Sequence, residues 1–75
     1  MKELIEYIAR GIVDNPDKVS VTEEPEADHL VLRLLVAESD MGKVIGRQGR
    51  VAQAIRTLLR VSAVKRGTRA ILEIG

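Results

Sequence analysis

Apolar residues recur along the chain in two rhythms, and each predicts its own kind of element. Leu4, Ile5, Ile8, Ala9, Ile12 and Val13 form one stripe at helical spacing, predicting an amphipathic first helix. Asp14-Asn15-Pro16 breaks it. Val19 and Val21 alternate with polar neighbours, predicting a short strand over residues 18–22. Residues 23–28 read as a polar turn containing Pro25, so the next strand folds back as a hairpin. That strand covers residues 29–37. Leu30, Leu32, Leu34 and Val36 share one face, and Val31, Arg33 and Leu35 share the other.

The helical rhythm then returns. Ser39 or Asp40 is placed to cap a short helix over residues 41–45. Gly46-Arg47-Gln48-Gly49 interrupts the pattern, which resumes at Arg50 and runs to residue 64, with Gly67 as its stop. Tyr7 in the first helix is expected among core positions. Ala70, Leu72 and Ile74 alternate in a last strand. The order α-β-β-α-α-β predicts an α+β fold, a two-layer sandwich with three helices on one face of a three-stranded sheet.

At 75 residues the chain reads as one domain, 1–75. It has no cysteine, which excludes a disulfide framework, a thiolate zinc site and a thiol nucleophile. The single histidine, His29, has no companion cluster of ligands, so no metal and no cofactor is expected. No Ser/His/Asp, Cys/His or paired-carboxylate constellation can be assembled, which argues for a binding module and against an enzyme. No apolar run approaches the ~20 residues of a membrane span, and Met1-Lys2-Glu3 leads straight into the first helix, so a cytoplasmic protein is expected.

A net charge of +1 hides a steep asymmetry. Residues 1–40 carry four basic and ten acidic side chains, a balance of −6; residues 41–75 carry eight basic ones against Glu73 alone, a balance of +7. Such a split suggests a basic face directed at a polyanion. The basic residues also concentrate around the glycine-bounded turn.

That turn fits neither common phosphate loop. A P-loop needs Gly-Lys-Ser/Thr, and here Val44 follows Gly42-Lys43. A dinucleotide fingerprint needs a third glycine where Val44 stands, and a preceding strand. What remains is a tight Gly-x-x-Gly turn between two helices. Glycine at both ends removes the Cβ atoms that would hold a ligand away. The following helix presents unpaired N–H groups and its positive dipole end. Arg47 and Arg50 add charge, Gln48 can hydrogen-bond in either sense, and Val44 and Ile45 are expected to floor a site for bases. Lys43 lies one turn before Gly46, and Arg56 extends the phosphate track along the next helix. Arg60 is expected only to keep that helix solvated, and Lys65-Arg66-Gly67-Thr68-Arg69 reads as a basic, solvated turn.

Val44-Ile45-Gly46-Arg47-Gln48-Gly49 resembles the signature loop of KH domains, RNA-binding modules that clamp four nucleotides. The element order resembles the type II arrangement with its mixed sheet, and the match spans the whole chain. More narrowly, the run from Ser39 to Arg50 with Ala54-Ile55-Arg56-Thr57-Leu58-Leu59 is similar to the small bacterial single-KH proteins of the KhpA family. That resemblance implies single-stranded RNA as ligand, an RNA-chaperone or post-transcriptional role, a KhpB/Jag-type partner, and a link to cell-wall and cell-length control. One position departs from the wider KH pattern: three places after the second glycine stands Ala52, where a bulky aliphatic residue is usual.

With Tyr7 the only aromatic, base stacking is not available as a strategy, so each domain is expected to bind RNA weakly. The last helix suggests how that is overcome. Positions 51, 52, 55, 58, 59, 62 and 63 are expected to face the sheet, and Ala54 and Val61 widen the apolar arc to about 200°. The excess predicts a two-fold homodimer, or a heterodimer with a KH partner, with Ala54, Leu58 and Val61 at the seam. The other reading of the chain is a protein-interaction module whose basic face is incidental.

Overall fold

Two helices and three strands share one core, and the alternation of leucines in the central strand shows why. The computed structural model describes residues 1–75. Strand β2 (Leu30–Leu35) lies in the middle of the sheet. Leu32 and Leu34 point to one side and are fully buried, while Leu30 and Val36 pack at the margins of the same cluster. Helix α1 (Lys2–Ile12) contributes Ile5 and Ala9 from its apolar stripe. Helix α3 (Arg50–Lys65) contributes Ile55 and Leu59, and strand β3 (Ala70–Ile74) contributes Leu72. Tyr7 departs from expectation. It lies on the outer side of α1 and is 80% exposed, so only the Ile5–Ala9 side of that helix packs inward.

Strand β1 (Ser20–Pro25) pairs antiparallel with β2, from Ser20 opposite Leu35 to Pro25 opposite Leu30. The strand therefore runs through Glu23, Glu24 and Pro25, which the sequence reading gives to the turn. Lys18 instead belongs to a 3-10 turn, Pro16–Lys18. Backbone pairing decides this, and an edge strand tolerates a proline at its end. The remaining turn is closed by the Glu26 N–H donating to the His29 carbonyl at 2.8 Å.

β3 pairs parallel with β2, Leu30 with Ala70 through Leu34 with Ile74, so the sheet is mixed in the order β1-β2-β3. A parallel pair needs a long crossover. Here it consists of helix α2 (Met41–Ile45), the glycine turn and α3. α3 ends in a Schellman motif: Thr68 N–H donates to the Ala63 carbonyl and Gly67 N–H to the Val64 carbonyl, both at 3.0 Å, with Gly67 at φ +70°. The other face of the sheet is open. On it Arg33 bridges Glu24 and Glu73 at 3.0 and 3.1 Å.

No helix is long and apolar enough to cross a membrane. Nine buried residues form the main core cluster, a small core for a domain of this size class.

Candidate nucleic-acid interface

The glycine turn is shaped by its own neighbours before any ligand is considered. Gly46 ends α2 with φ +76° and ψ 173°, a region open essentially only to glycine. A Cβ built there would come within 2.4 Å of Val51 Cγ2 and 2.9 Å of the Val51 nitrogen. Gly46 is thus demanded by the packing of α2 on the start of α3. Gly49 differs. It is left-handed (φ +73°, ψ 14°), yet a Cβ there would meet only open space. Gln48 is also left-handed, at φ +56°. The turn is held by Gly46 N–H donating to the Gly42 carbonyl at 2.8 Å and Gly49 N–H to the Gly46 carbonyl at 3.1 Å.

α3 begins at Gly49 without a side-chain cap, so its first N–H groups face the turn unpartnered by any side chain. Arg47, Gln48, Arg50 and Arg56 are all exposed around it. The ion pairs of the molecule are Arg10–Glu6, His29–Asp28, Arg33 with Glu24 and Glu73, and Lys43–Asp14. Of the eight basic residues beyond position 40, only Lys43 has a carboxylate partner. The other seven are exposed and form no ion pair. Lys43 is drawn toward the end of α1, and the hydrogen bond it donates to the Asp14 carboxylate raises its pKa above the usual lysine value.

The expected apolar floor is narrowed. Val44 is 0% exposed and seats α2, so only Ile45 of the pair is left at the surface. Ala52, the departure from the wider pattern, is one of the buried residues of α3.

Asp40 does not cap α2. Its backbone is near-helical (φ −98°, ψ −5°), closing a 3-10 turn over Glu38–Asp40, and its side chain reaches elsewhere. Oδ1 accepts from the Asp14 N–H at 3.1 Å, and Oδ2 accepts from both the Asn15 N–H and Asn15 Nδ2 at 3.0 Å. It is the one buried charged residue, 1% exposed. Burial alone would raise its carboxyl, but the hydrogen bonds from Asn15 and Asp14, with the Lys43 charge, hold it below the usual carboxylate range. This tie fixes the base of α2, and with it the turn, against the end of α1. No motif in the sequence signals it.

Arg60 is exposed on α3, as expected of a solvated cation. It projects from α3 beside the outer strand and lines two clefts there, one with Arg56, Leu59 and Leu72 and one with Arg69 and His29. The residues expected at a dimer seam lie round the other flank of α3, about 200° from Arg56 to Leu58 at 100° per residue. Leu58 and Val61 are 50% and 51% exposed and Ala54 is exposed. The expectation that Leu58 packs on the sheet therefore fails, since the inward side of α3 is already filled by Ala52, Ile55, Leu59 and Ala63.

An α-β-β-α-α-β sandwich with a Gly-x-x-Gly turn joining its second and third helices is a type II KH domain. The model of the KhpA/KhpB KH domain matches residues 2–74, and the chain belongs to that family. It is 51% identical to the RNA-binding protein KhpA of Clostridium acetobutylicum over 99% of each chain. It is 53% identical to that of Caldanaerobacter subterraneus subsp. tengcongensis, again over 99% of each. With the Treponema pallidum RNA-binding protein KhpA the identity is 53%, over 97% of this chain and 91% of the relative. No solved structure matches it significantly.

Proposed function

We propose that this protein binds single-stranded RNA by laying the sugar-phosphate backbone against the Gly46–Gly49 turn. The observation that carries the reading is the uncompensated charge of Arg47, Arg50 and Arg56 around a turn whose second glycine opens onto free space. A Cβ-free approach brings phosphates to the start of α3 and the positive end of its dipole. Arg47 and Arg50 neutralise them, Gln48 hydrogen-bonds, and Ile45 supports a base. Lys43, shared with Asp14, contributes through its field. The family relatives, named as RNA-binding proteins, support the same reading. The resemblance extends it to an RNA-chaperone or post-transcriptional role in the cytoplasm, acting with a KhpB/Jag-type partner in cell-wall and cell-length control.

A second role accompanies the first. The exposed Ala54, Leu58 and Val61 form a seam for a two-fold homodimer or for a heterodimer with a KH partner. Two grooves would then act on one longer RNA, and intramolecular capture by the second offsets the weakness of each. The reading is tested by replacing Arg47 and Gln48 together with aspartate. Both side chains are exposed, and aspartate tolerates the left-handed backbone of position 48. The circular-dichroism spectrum should stay unchanged while RNA binding is lost. Retained affinity in the folded double variant overturns the proposal.

A further inference from the structure

One cation beside the glycine turn is already engaged by an anion of its own chain. Lys43 lies on α2 before Gly46, about 4.5 Å back along the helix at about 1.5 Å per residue. Its Nζ donates to Oδ2 of Asp14, which follows the end of α1. We infer that Asp14 is an intramolecular rival of RNA: its carboxylate occupies the place of a phosphate on Lys43 until a bound strand displaces it. A residue outside the turn thereby sets how tightly RNA is held and how fast it leaves.

Three observations carry this. The rival is held in position by its main chain, because the Asp14 N–H donates to Asp40 Oδ1 at 3.1 Å. Its side chain has Lys43 as its only partner. The pair is also open to solvent, with the Lys43 and Asp14 side chains 46% and 74% exposed, so a phosphate reaches Nζ without disturbing the core. An exposed pair is weak enough to be exchanged, whereas a buried one would be locked. Last, the two anions suit the same cation. Lysine presents a compact charge with three donors on a flexible stem, and it can turn from a carboxylate oxygen to a phosphate oxygen without a fixed fork to satisfy. The same bond could serve only to clamp α1 to α2. That tie, however, is already made by buried Asp40 with Asp14 and Asn15, which leaves the surface pair free to exchange.

The inference rests on the RNA reading above, and the test separates the two. Fluorescence anisotropy follows one labelled single-stranded octanucleotide at about 0.15 M salt, where exposed charges more than about 8 Å apart are screened. Asp14→Asn keeps the backbone N–H and removes the charge. It should tighten binding about three- to fivefold, the worth of a good exposed pair, chiefly by slowing dissociation. The salt slope should steepen by about 0.7, one further phosphate contact. Asp14→Ala should act in the same way. Glu38→Gln removes an equal charge from an exposed residue just before α2 that makes no ion pair, and should bring no such gain. Lys43→Ala should cost the Asp14→Asn protein about three- to fivefold more affinity than it costs the wild type, because only there is the lysine free. The rivalry alone is overturned if the wild type binds RNA but Asp14→Asn binds no more tightly, if Glu38→Gln gains equally, or if Lys43→Ala costs both proteins the same. Loss of the circular-dichroism spectrum in both Asp14 variants would make the pair a clamp and overturn it too. If no RNA binds the wild type, both readings fall.

Discussion

Asn15 and Asp40, 25 residues apart, are joined by two hydrogen bonds of 3.0 Å to a single carboxylate oxygen, one from the Asn15 backbone and one from its side chain. The loop after α1 is thereby anchored to the residue immediately before α2. Because the turn hangs from the other end of α2, this pair sets where the proposed RNA contacts stand.

The first prediction follows from the charge of that pair. A carboxyl whose native pKa is depressed stabilises the fold fully above its unfolded value of about 3.9 and loses that contribution as pH falls through the native value. Asp40→Asn turns one acceptor into a donor facing donors, so it should lower the urea midpoint at pH 7. As pH falls below the usual carboxylate range, the gap between wild type and variant should narrow. A gap of constant size across that range would show that the carboxylate charge is not what holds α1 to α2.

The second prediction separates structure from ligand at the two glycines. Gly46→Ala meets Val51 and an unfavourable backbone region, and should destabilise by more than the ~1–2 kcal/mol that a left-handed residue costs. Trimming the neighbour with Val51→Ala should recover part of the loss in a double-mutant cycle. Gly49→Ala meets no atom and should cost only the backbone term, yet weaken RNA binding. Equal destabilisation at both positions, by denaturant titration, would contradict the geometry.

The third concerns salt. With Arg47, Arg50 and Arg56 each neutralising a phosphate, log K for a short single strand should fall against log salt with a slope of about −2.1. A flat response would assign the basic face to a protein partner.

The fourth concerns the seam on α3. Leu58→Asp places a charge at a half-exposed position outside the core, so the variant should fold. Analytical ultracentrifugation should show a dimeric wild type and a monomeric variant, with weaker binding of long RNA. A wild type that is monomeric at tens of micromolar overturns the homodimer, and mixing with a KH partner then tests the heterodimer.

The fold was legible in the sequence wherever side-chain polarity reports burial. The α1 stripe and the leucines of β2 are of that kind, and the stop at Gly67 was legible from glycine's freedom to adopt a left-handed backbone. It was not legible where backbone pairing or long-range hydrogen bonds decide. Glu23 and Glu24 look like turn residues because their side chains are polar, but their main chain pairs with β2. Asp40 looks like a local cap because its partners lie 25 and 26 residues away. At the candidate site the glycines mark the loop, whereas the apolar pair Val44-Ile45 looks uniform in sequence and only the packing of α2 buries Val44 and leaves Ile45 at the surface.

Every rung between β2 and β3 joins residues forty apart, and the residues proposed to meet RNA all lie in the span between them. Docking of the outer strand therefore closes that whole span, and non-local closure of this kind slows folding relative to helical bundles. A ligand that grips the finished span and not the open chain stabilises the native state by about 2.7 kcal/mol at a hundredfold excess over Kd. Occupancy of the turn and the lifetime of the outer strand are thus coupled. The protein should unfold and exchange its β3 amides more slowly when loaded with RNA than when free.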